Sequence, residues 1–315
     1  MNASVSTLPR PTGVAPIPVE PAIRLERVGK SYGSVEALRE VDLQVDAGEV
    51  IAVLGPNGAG KTTAIGIMLG LRPPSSGGVT ILGGEPGSRA VRSRIGAMLQ
   101  DSGVPATLRV SEVIDLFRSY YPLAMPRDAV LAAAGLSEMS AKRVGALSVG
   151  QRQRLYFALA ISGDPDLLFL DEPTTGMDIE SRHRFWEQIR GFASTGKTIL
   201  FTTHMLEEAD ALATRVVVID RGRIVASGTP AELKTRVGGK QIRLRGPFTA
   251  DEVASWPDVT RVTRVGAVLV VDVEDTTPVM RRIFADGRAV DEVTIEDAGL
   301  ESAFLGLTRD TETNR

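Results

Sequence analysis

Val50-Ile51-Ala52-Val53-Leu54-Gly55-Pro56-Asn57-Gly58-Ala59-Gly60-Lys61-Thr62-Thr63 decides the fold of this 315-residue chain. Its first five residues form an unbroken apolar run, as a strand buried on both faces requires. The glycine-rich turn that follows fits G-x-x-x-x-G-K-[ST], and the spacing predicts a helix from Thr62 to Leu69. Glycines let backbone N–H groups converge on phosphate oxygens, and a helix N-terminus adds partial positive charge. Lys61 is placed to reach β- and γ-phosphates, and the Thr62 hydroxyl to hold Mg²⁺. Gly55, Pro56, Asn57, Gly58, Ala59, Gly60, Lys61, Thr62 and Thr63 are therefore candidate nucleotide-binding residues. Alone, the loop implies binding of a nucleoside triphosphate and nothing finer.

On either side of the loop, strands alternate with helices. Ile23-Arg24-Leu25 and Val41-Asp42-Leu43-Gln44-Val45 alternate with period two, and Ala97-Met98-Leu99 reads as a short strand. Asp166 to Leu170, Thr198 to Thr202 and Arg215 to Ile219 are further buried strands. Residues 108–162 carry no strong strand signal and read as mainly helical, with breaks near Pro122, Pro126 and Gly135. The pattern predicts an α/β domain with a mostly parallel sheet.

A second chemical feature ends one of those strands. Asp166-Leu-Leu-Phe-Leu170-Asp171-Glu172-Pro173 is an apolar run closing in two carboxylates. Asp171 is placed to hold Mg²⁺, and Glu172 to polarise an attacking water. An acidic turn after a strand is common; paired with a phosphate loop it points to hydrolysis.

Composition narrows the class. The chain is 43% hydrophobic and 24% charged with a formal net charge of −3, which offers no electrostatic grip on nucleic acid. With no cysteine, disulfides and thiol chemistry are excluded, and two histidines make a zinc site a poor reading. No window approaches eighteen consecutive apolar residues. Prolines at 9, 11, 16, 18 and 21 interrupt any signal-peptide core, so residues 1–20 read as a disordered tail.

After Gly238-Gly239 the pattern changes. Strand (Gln241–Arg245), helix (Thr249–Ser255), strand (Val259–Val265), strand (Ala267–Val273), helix (Pro278–Ala285) and strand (Ala289–Ile295) follow, with Gly266 as a tight turn. This is the β-α-β-β-α-β order of a ferredoxin-like module. The expected organisation is a tail (1–20), a nucleotide-binding domain (21–237, with a helical part at about 102–162) and a small α+β domain (238–315).

Further motifs resemble those of ABC-type ATPases. Leu147-Ser148-Val149-Gly150-Gln151 followed by Arg152-Gln153-Arg154 is similar to the family's LSGGQ signature, and stands just before the acidic strand. Gln100 in Met98-Leu99-Gln100-Asp101 resembles the Q-loop, and Thr174-Thr175-Gly176-Met177-Asp178 the D-loop. His204 after Thr202-Thr203 resembles the switch histidine, and Tyr32 the aromatic that stacks on adenine. The match covers roughly residues 22–235, with the motifs in family order. The resemblance implies a P-loop NTPase cassette with an antiparallel β subdomain and a helical subdomain. It makes Glu172, His204, Gln100 and Lys61 catalytic, and Thr62, Gln100 and Asp171 the metal contacts. Ser148, Gly150, Gln151 and Asp178 would contact ATP held by a second cassette, a homodimer being the simpler reading. His183, in the polar run Glu180-Ser-Arg-His-Arg184, reads as a surface residue. Val149 departs from the usual glycine, while the flanking Ser148 and Gly150 are intact.

The segment from Ser102 to Ala146 is too short for the coiled-coil arms of the chromosome and repair ATPases. Leu300-Glu301-Ser302-Ala303-Phe304-Leu305-Gly306-Leu307-Thr308 resembles the ending of cassettes that serve ABC-2-type exporters, including daunorubicin and multidrug-resistance ATPases. The expectation is an ATPase at the cytoplasmic membrane face, powering drug, lipid or other small-molecule efflux through a separate polytopic permease. Leu108-Arg109-Val110-Ser111-Glu112-Val113 would then lie near the groove for the permease. An importer ATPase and a soluble repair or regulatory ATPase are the alternatives, distinguished by the direction of transport and by what co-purifies.

Overall fold

The computed structural model describes residues 20–99, 103–236, 240–285 and 287–297. In chain order the elements are β1 (Ile23–Tyr32), β2 (Val35–Val45), β3 (Val50–Leu54), α1 (Lys61–Met68), β4 (Ser76–Ile81), α2 (Arg89–Arg92) and β5 (Ile95–Met98). Then come α3 (Val110–Arg118), α4 (Arg127–Ala133), α5 (Val149–Ile161), β6 (Leu167–Asp171), α6 (Ile179–Ala193), β7 (Thr198–Thr203), α7 (Leu206–Leu212), β8 (Arg215–Asp220), β9 (Arg223–Gly228) and α8 (Pro230–Arg236). The last group is β10 (Lys240–Arg245), α9 (Ala250–Ala254), β11 (Val259–Val265), β12 (Val268–Val273), α10 (Thr276–Ala285) and β13 (Glu292–Asp297).

The apolar run at Val50–Leu54 is continuous because both faces of β3 are covered. Val50, Ala52 and Leu54 pack into one core with α3 to α7, while Ile51 and Val53 pack into another with α1 and β1. The same division sends Leu168 and Leu170 of β6 to the first core and Leu167 and Phe169 to the second. Each fully buried Leu, Ile or Phe is stabilised by about 1.5–3 kcal/mol relative to exposure. These strands lie in a six-stranded sheet of order β5-β6-β7-β3-β8-β9, parallel except for β9 against β8. A separate antiparallel sheet has the order β2-β1-β4.

Between the sheets' strands, α3, α4 and α5 occupy the region read as helical. The break between α3 and α4 contains Pro122 and Pro126, the latter capping α4, and α4 ends two residues before Gly135. The first helix begins at Lys61, one residue earlier than the loop motif predicts. Two antiparallel strands, β4 and β9, escaped the sequence reading.

The last four strands form an antiparallel sheet of order β11-β12-β10-β13, the strand order of the ferredoxin-like module. Ile242, Leu244, Leu269, Val271 and Val273 pack with Val253 and Trp256 near α9 and with Val279 and Ile283 of α10, so this sheet has its own core. The N-terminal residues 1–19, Gln100 and the segment 300–308 lie outside the described residues.

Candidate functional site

The central strands of the parallel sheet carry the site at their C-terminal ends. Because β3 lies beside β7, and β7 beside β6, three motifs distant in sequence emerge side by side. The register puts Leu54 opposite Thr203 and Asp171 opposite Thr202. Ligands of open parallel sheets bind at such strand ends.

The phosphate loop is pulled tightly against its surroundings. A Cβ on Gly55 would fall 2.3 Å from the Ile219 carbonyl oxygen, so no side chain fits there. Gly60 takes φ +109 and caps α1, where a Cβ would lie 2.6 Å from the Ala37 carbonyl oxygen. Ala59 N–H donates to the Pro56 carbonyl at 3.2 Å, and Gly222 N–H donates to the Ala59 carbonyl at 3.0 Å, closing the loop. Pro56, Asn57, Gly58 and Thr62 are exposed, Gly60 and Thr63 half-buried, Ala59 and Lys61 buried. The loop thus presents backbone and a hydroxyl outward while its cation is held inside.

Lys61 is the hinge of the cluster. Its Nζ donates to the Gly55 carbonyl at 2.7 Å and the Pro56 carbonyl at 3.2 Å, and lies 3.6 Å from Glu172 Oε1. The other Glu172 oxygen is 3.5 Å from His204 Nδ1 and accepts from the Thr175 hydroxyl at 3.3 Å. Lys61, Glu172 and His204 therefore converge on one spot, with His204 half exposed at its rim.

Asp171 is buried, and its Oδ1 accepts a 2.5 Å hydrogen bond from the Thr202 hydroxyl. That hydroxyl also accepts from Glu172 N–H at 3.0 Å, and the Thr202 carbonyl from the same N–H at 3.2 Å. One threonine thereby orients both carboxylate residues. Glu172 has φ +48, a left-handed conformation that costs a non-glycine residue about 1–3 kcal/mol and persists only where neighbours impose it. Sequence reasoning missed Thr202. The available signal was a hydroxyl within a fully buried strand, which must find partners.

The signature residues form a second cluster. Ser148 caps α5: Gln151 N–H donates to Ser148 Oγ at 3.2 Å, and Ser148 N–H donates to Gln151 Oε1 at 3.1 Å. Gly150 faces Ser181 of α6, where an added Cβ would meet the Ser181 Cβ at 3.0 Å. Asp178 caps α6, accepting from the Ser181 N–H and hydroxyl, both at 2.8 Å; these bonds hold its carboxyl below the usual aspartate range. Gln153 Nε2 donates to the Thr175 carbonyl at 3.4 Å, tying α5 to the turn after Glu172. Val149 is exposed on the first turn of α5. Tyr32 ends β1, its hydroxyl accepting from Arg72 Nη1 at 2.9 Å, with the Lys30 ammonium 5.2 Å from its ring centre. His183 is a surface residue against Trp186.

Among the described residues no group of three or more His, Asp or Glu side chains is arranged to hold a metal ion. The Thr62 hydroxyl and Asp171 carboxylate instead suit a hard cation that takes its remaining oxygen ligands from phosphates and water.

A phosphate loop at the end of a central parallel strand, beside an acidic strand end, defines a P-loop ATPase cassette. The ABC transporter family model matches residues 38–175. Nod factor export ATP-binding protein I of Burkholderia lata is 37% identical over 303 residues, 93% of this chain and 98% of that protein. A Clostridium perfringens subunit of the CbiONQ ABC transporter complex is 26% identical, covering 68% of this chain and 90% of its own with TM-score 0.62. A dimeric ATP-binding cassette in a post-hydrolysis state with ADP and Pi is 24% identical over 66% of this chain and 98% of its own, and shares the fold at TM-score 0.60. The chain belongs to the ATP-binding subunits of ABC transporters, ATPases whose hydrolysis is coupled to transport.

Proposed function

We propose that this subunit powers export of a small molecule, of the drug or lipid class, by an ABC-2-type exporter. The observation that carries the direction is the near full-length similarity to an export ATP-binding protein, which at 93% of this chain reaches beyond the cassette into the C-terminal module. Among the described residues no helix is long and apolar enough to cross a membrane, so the substrate pathway is assigned to a separate polytopic permease at whose cytoplasmic face this subunit sits. A groove lined by Leu71, Arg89, Arg92, Tyr120, Tyr121 and Pro122 is open enough, at about 1120 Å³, to receive a permease segment. We assign 21–237 to the cassette, 238–315 to an accessory module, and no role to nucleic acid.

At the site, Lys61 and the loop N–H groups bind the triphosphate, and Tyr32 stacks on adenine. Thr62 and Asp171, with Gln100, hold Mg²⁺, which neutralises charge on the phosphates when bound. Glu172 accepts a proton from the attacking water, and His204 steadies the γ-phosphate. Ser148, Gly150 and Gln151 of a second copy close the site from outside, with Asp178 at the same junction; the exposure of Ser148 and Asp178 at the starts of α5 and α6 supports this. Phosphoryl transfer is mainly positioning and charge neutralisation, so a site completed in trans gates hydrolysis.

The test is transport in inverted vesicles holding this subunit with the membrane protein that co-purifies with it. ATP-dependent accumulation inside such vesicles supports export. Accumulation only in right-side-out vesicles, or recovery of the chain with nucleic acid and no membrane protein, overturns it.

A further inference from the structure

Glu208, in the first turn of α7, is one of the few acidic residues in the core, with 1% of its surface exposed. Its carboxyl sits where three separate elements meet. Trp186 of α6 donates its Nε1–H to Glu208 Oε1 at 3.3 Å, and the polar side chains of Thr203 and Thr174 stabilise the charged form of the same carboxyl. Thr203 immediately precedes His204 and also accepts from Met205 N–H at 2.9 Å, so its hydroxyl brackets the histidine. Thr174 stands two residues after Glu172, in the turn whose Thr175 hydroxyl bonds the Glu172 carboxylate. Trp186 lies on the helix that Asp178 caps.

We propose that Glu208 is a positioning residue that locks the switch loop bearing His204 to the turn bearing Glu172 and to α6. The inference rests on the reading that His204 acts at the γ-phosphate. Packing alone would be met by an apolar side chain, since a buried carboxyl is costly unless its hydrogen bonds are satisfied. Here burial pushes the carboxyl up, opposed by the hydrogen bonds from Thr203, Thr174 and Trp186 and by the positive charge of Arg182. What an acceptor adds at this point is convergence: a donor from α6 and polar side chains from β7 and the post-Glu172 turn act on one group.

The experiment compares steady-state ATP hydrolysis by the full chain carrying Glu208→Met, Glu208→Gln, Trp186→Phe and His204→Ala, alone and in the Glu208→Met/His204→Ala double variant. A misplacement of about 1 Å can cost ~100-fold, so Glu208→Met is expected to lower kcat about 10- to 100-fold. KM for ATP should stay within about twofold, because the phosphate loop is untouched. Glu208→Gln, which keeps the hydrogen bonds, should recover most of kcat, and Trp186→Phe should lose an intermediate part. The double variant should be no slower than His204→Ala. If Glu208→Met fails to fold, Trp186→Phe combined with His204→Ala carries the same comparison. Wild-type kcat in Glu208→Met, or losses that multiply fully with His204→Ala, overturns the proposal. Wild-type kcat in His204→Ala overturns the switch-histidine reading itself, and this inference with it.

Discussion

The Lys61 ammonium lies 3.6 Å from the Glu172 carboxylate, and both side chains are largely shielded from water. The cation assigned to phosphate and the carboxylate assigned to water are thus each other's nearest opposite charge. On the proposed reading, an incoming triphosphate would compete with Glu172 for Lys61 and so free the carboxylate toward the nucleophile.

Replacing Lys61 tests the first half of that relationship. Hydrogen bonds to charged groups are worth about 1.5–3 kcal/mol, so Lys61→Ala should weaken ATP binding by about 10- to 100-fold and abolish hydrolysis. Titration with a fluorescent nucleotide analogue measures it. Unchanged affinity would remove Lys61 from the site.

Thr202 is the pivot of the acidic pair, donating to Asp171 and accepting from Glu172 N–H. Thr202→Val preserves shape but leaves Asp171 Oδ1 without its donor, while Glu172 N–H keeps only the Thr202 carbonyl; this should destabilise the fold by about 1–3 kcal/mol. It should also raise the Mg²⁺ concentration needed for half-maximal ATPase. Urea unfolding and a Mg²⁺ titration read the two effects separately.

The loop's geometry is as restrictive as its chemistry. At Gly60, with φ +109 and the Ala37 carbonyl oxygen 2.6 Å from any Cβ, Gly60→Ala combines strain and collision. The expected loss is at least about 1–3 kcal/mol, visible as a lowered Tm. A Tm equal to wild type would contradict the described loop conformation.

Burial raises the Glu208 carboxyl above its unfolded value. Stability tied to its protonation is present below the unfolded pKa and is lost as pH rises through the folded one. Wild type should therefore lose Tm relative to Glu208→Gln as pH rises above the ordinary glutamate range. Thermal scans across pH check this, and a constant difference refutes it.

Much of this architecture was legible because the buried parallel strands have no polar face. Val50–Leu54 and Asp166–Leu170 announce themselves as unbroken apolar runs that end in the loop and the acidic pair. β4, reading Ser76-Gly-Gly-Val-Thr-Ile81, was hidden because its glycines carry no side-chain alternation and its partner is a half-exposed antiparallel sheet. β9, a sheet-edge strand of mixed burial, was missed for the same reason. Lys61, Asp171 and Glu172 could be singled out from the loop motif and the acidic strand end, and His204 only through the resemblance to the family's switch histidine. Thr202 and Glu208 could not, because their roles arise from strand register and helix packing, which pair Thr202 with Asp171, 31 positions away, and Glu208 with Trp186, 22 positions away.

Closure of two ATP sites by two copies of this chain can be read directly from mass. The direct measurement is the molar mass of Glu172→Gln by light scattering, with and without ATP. A monomer is expected without nucleotide and a dimer with ATP, lost again when Ser148→Arg is added. A species that stays monomeric at saturating ATP would contradict it.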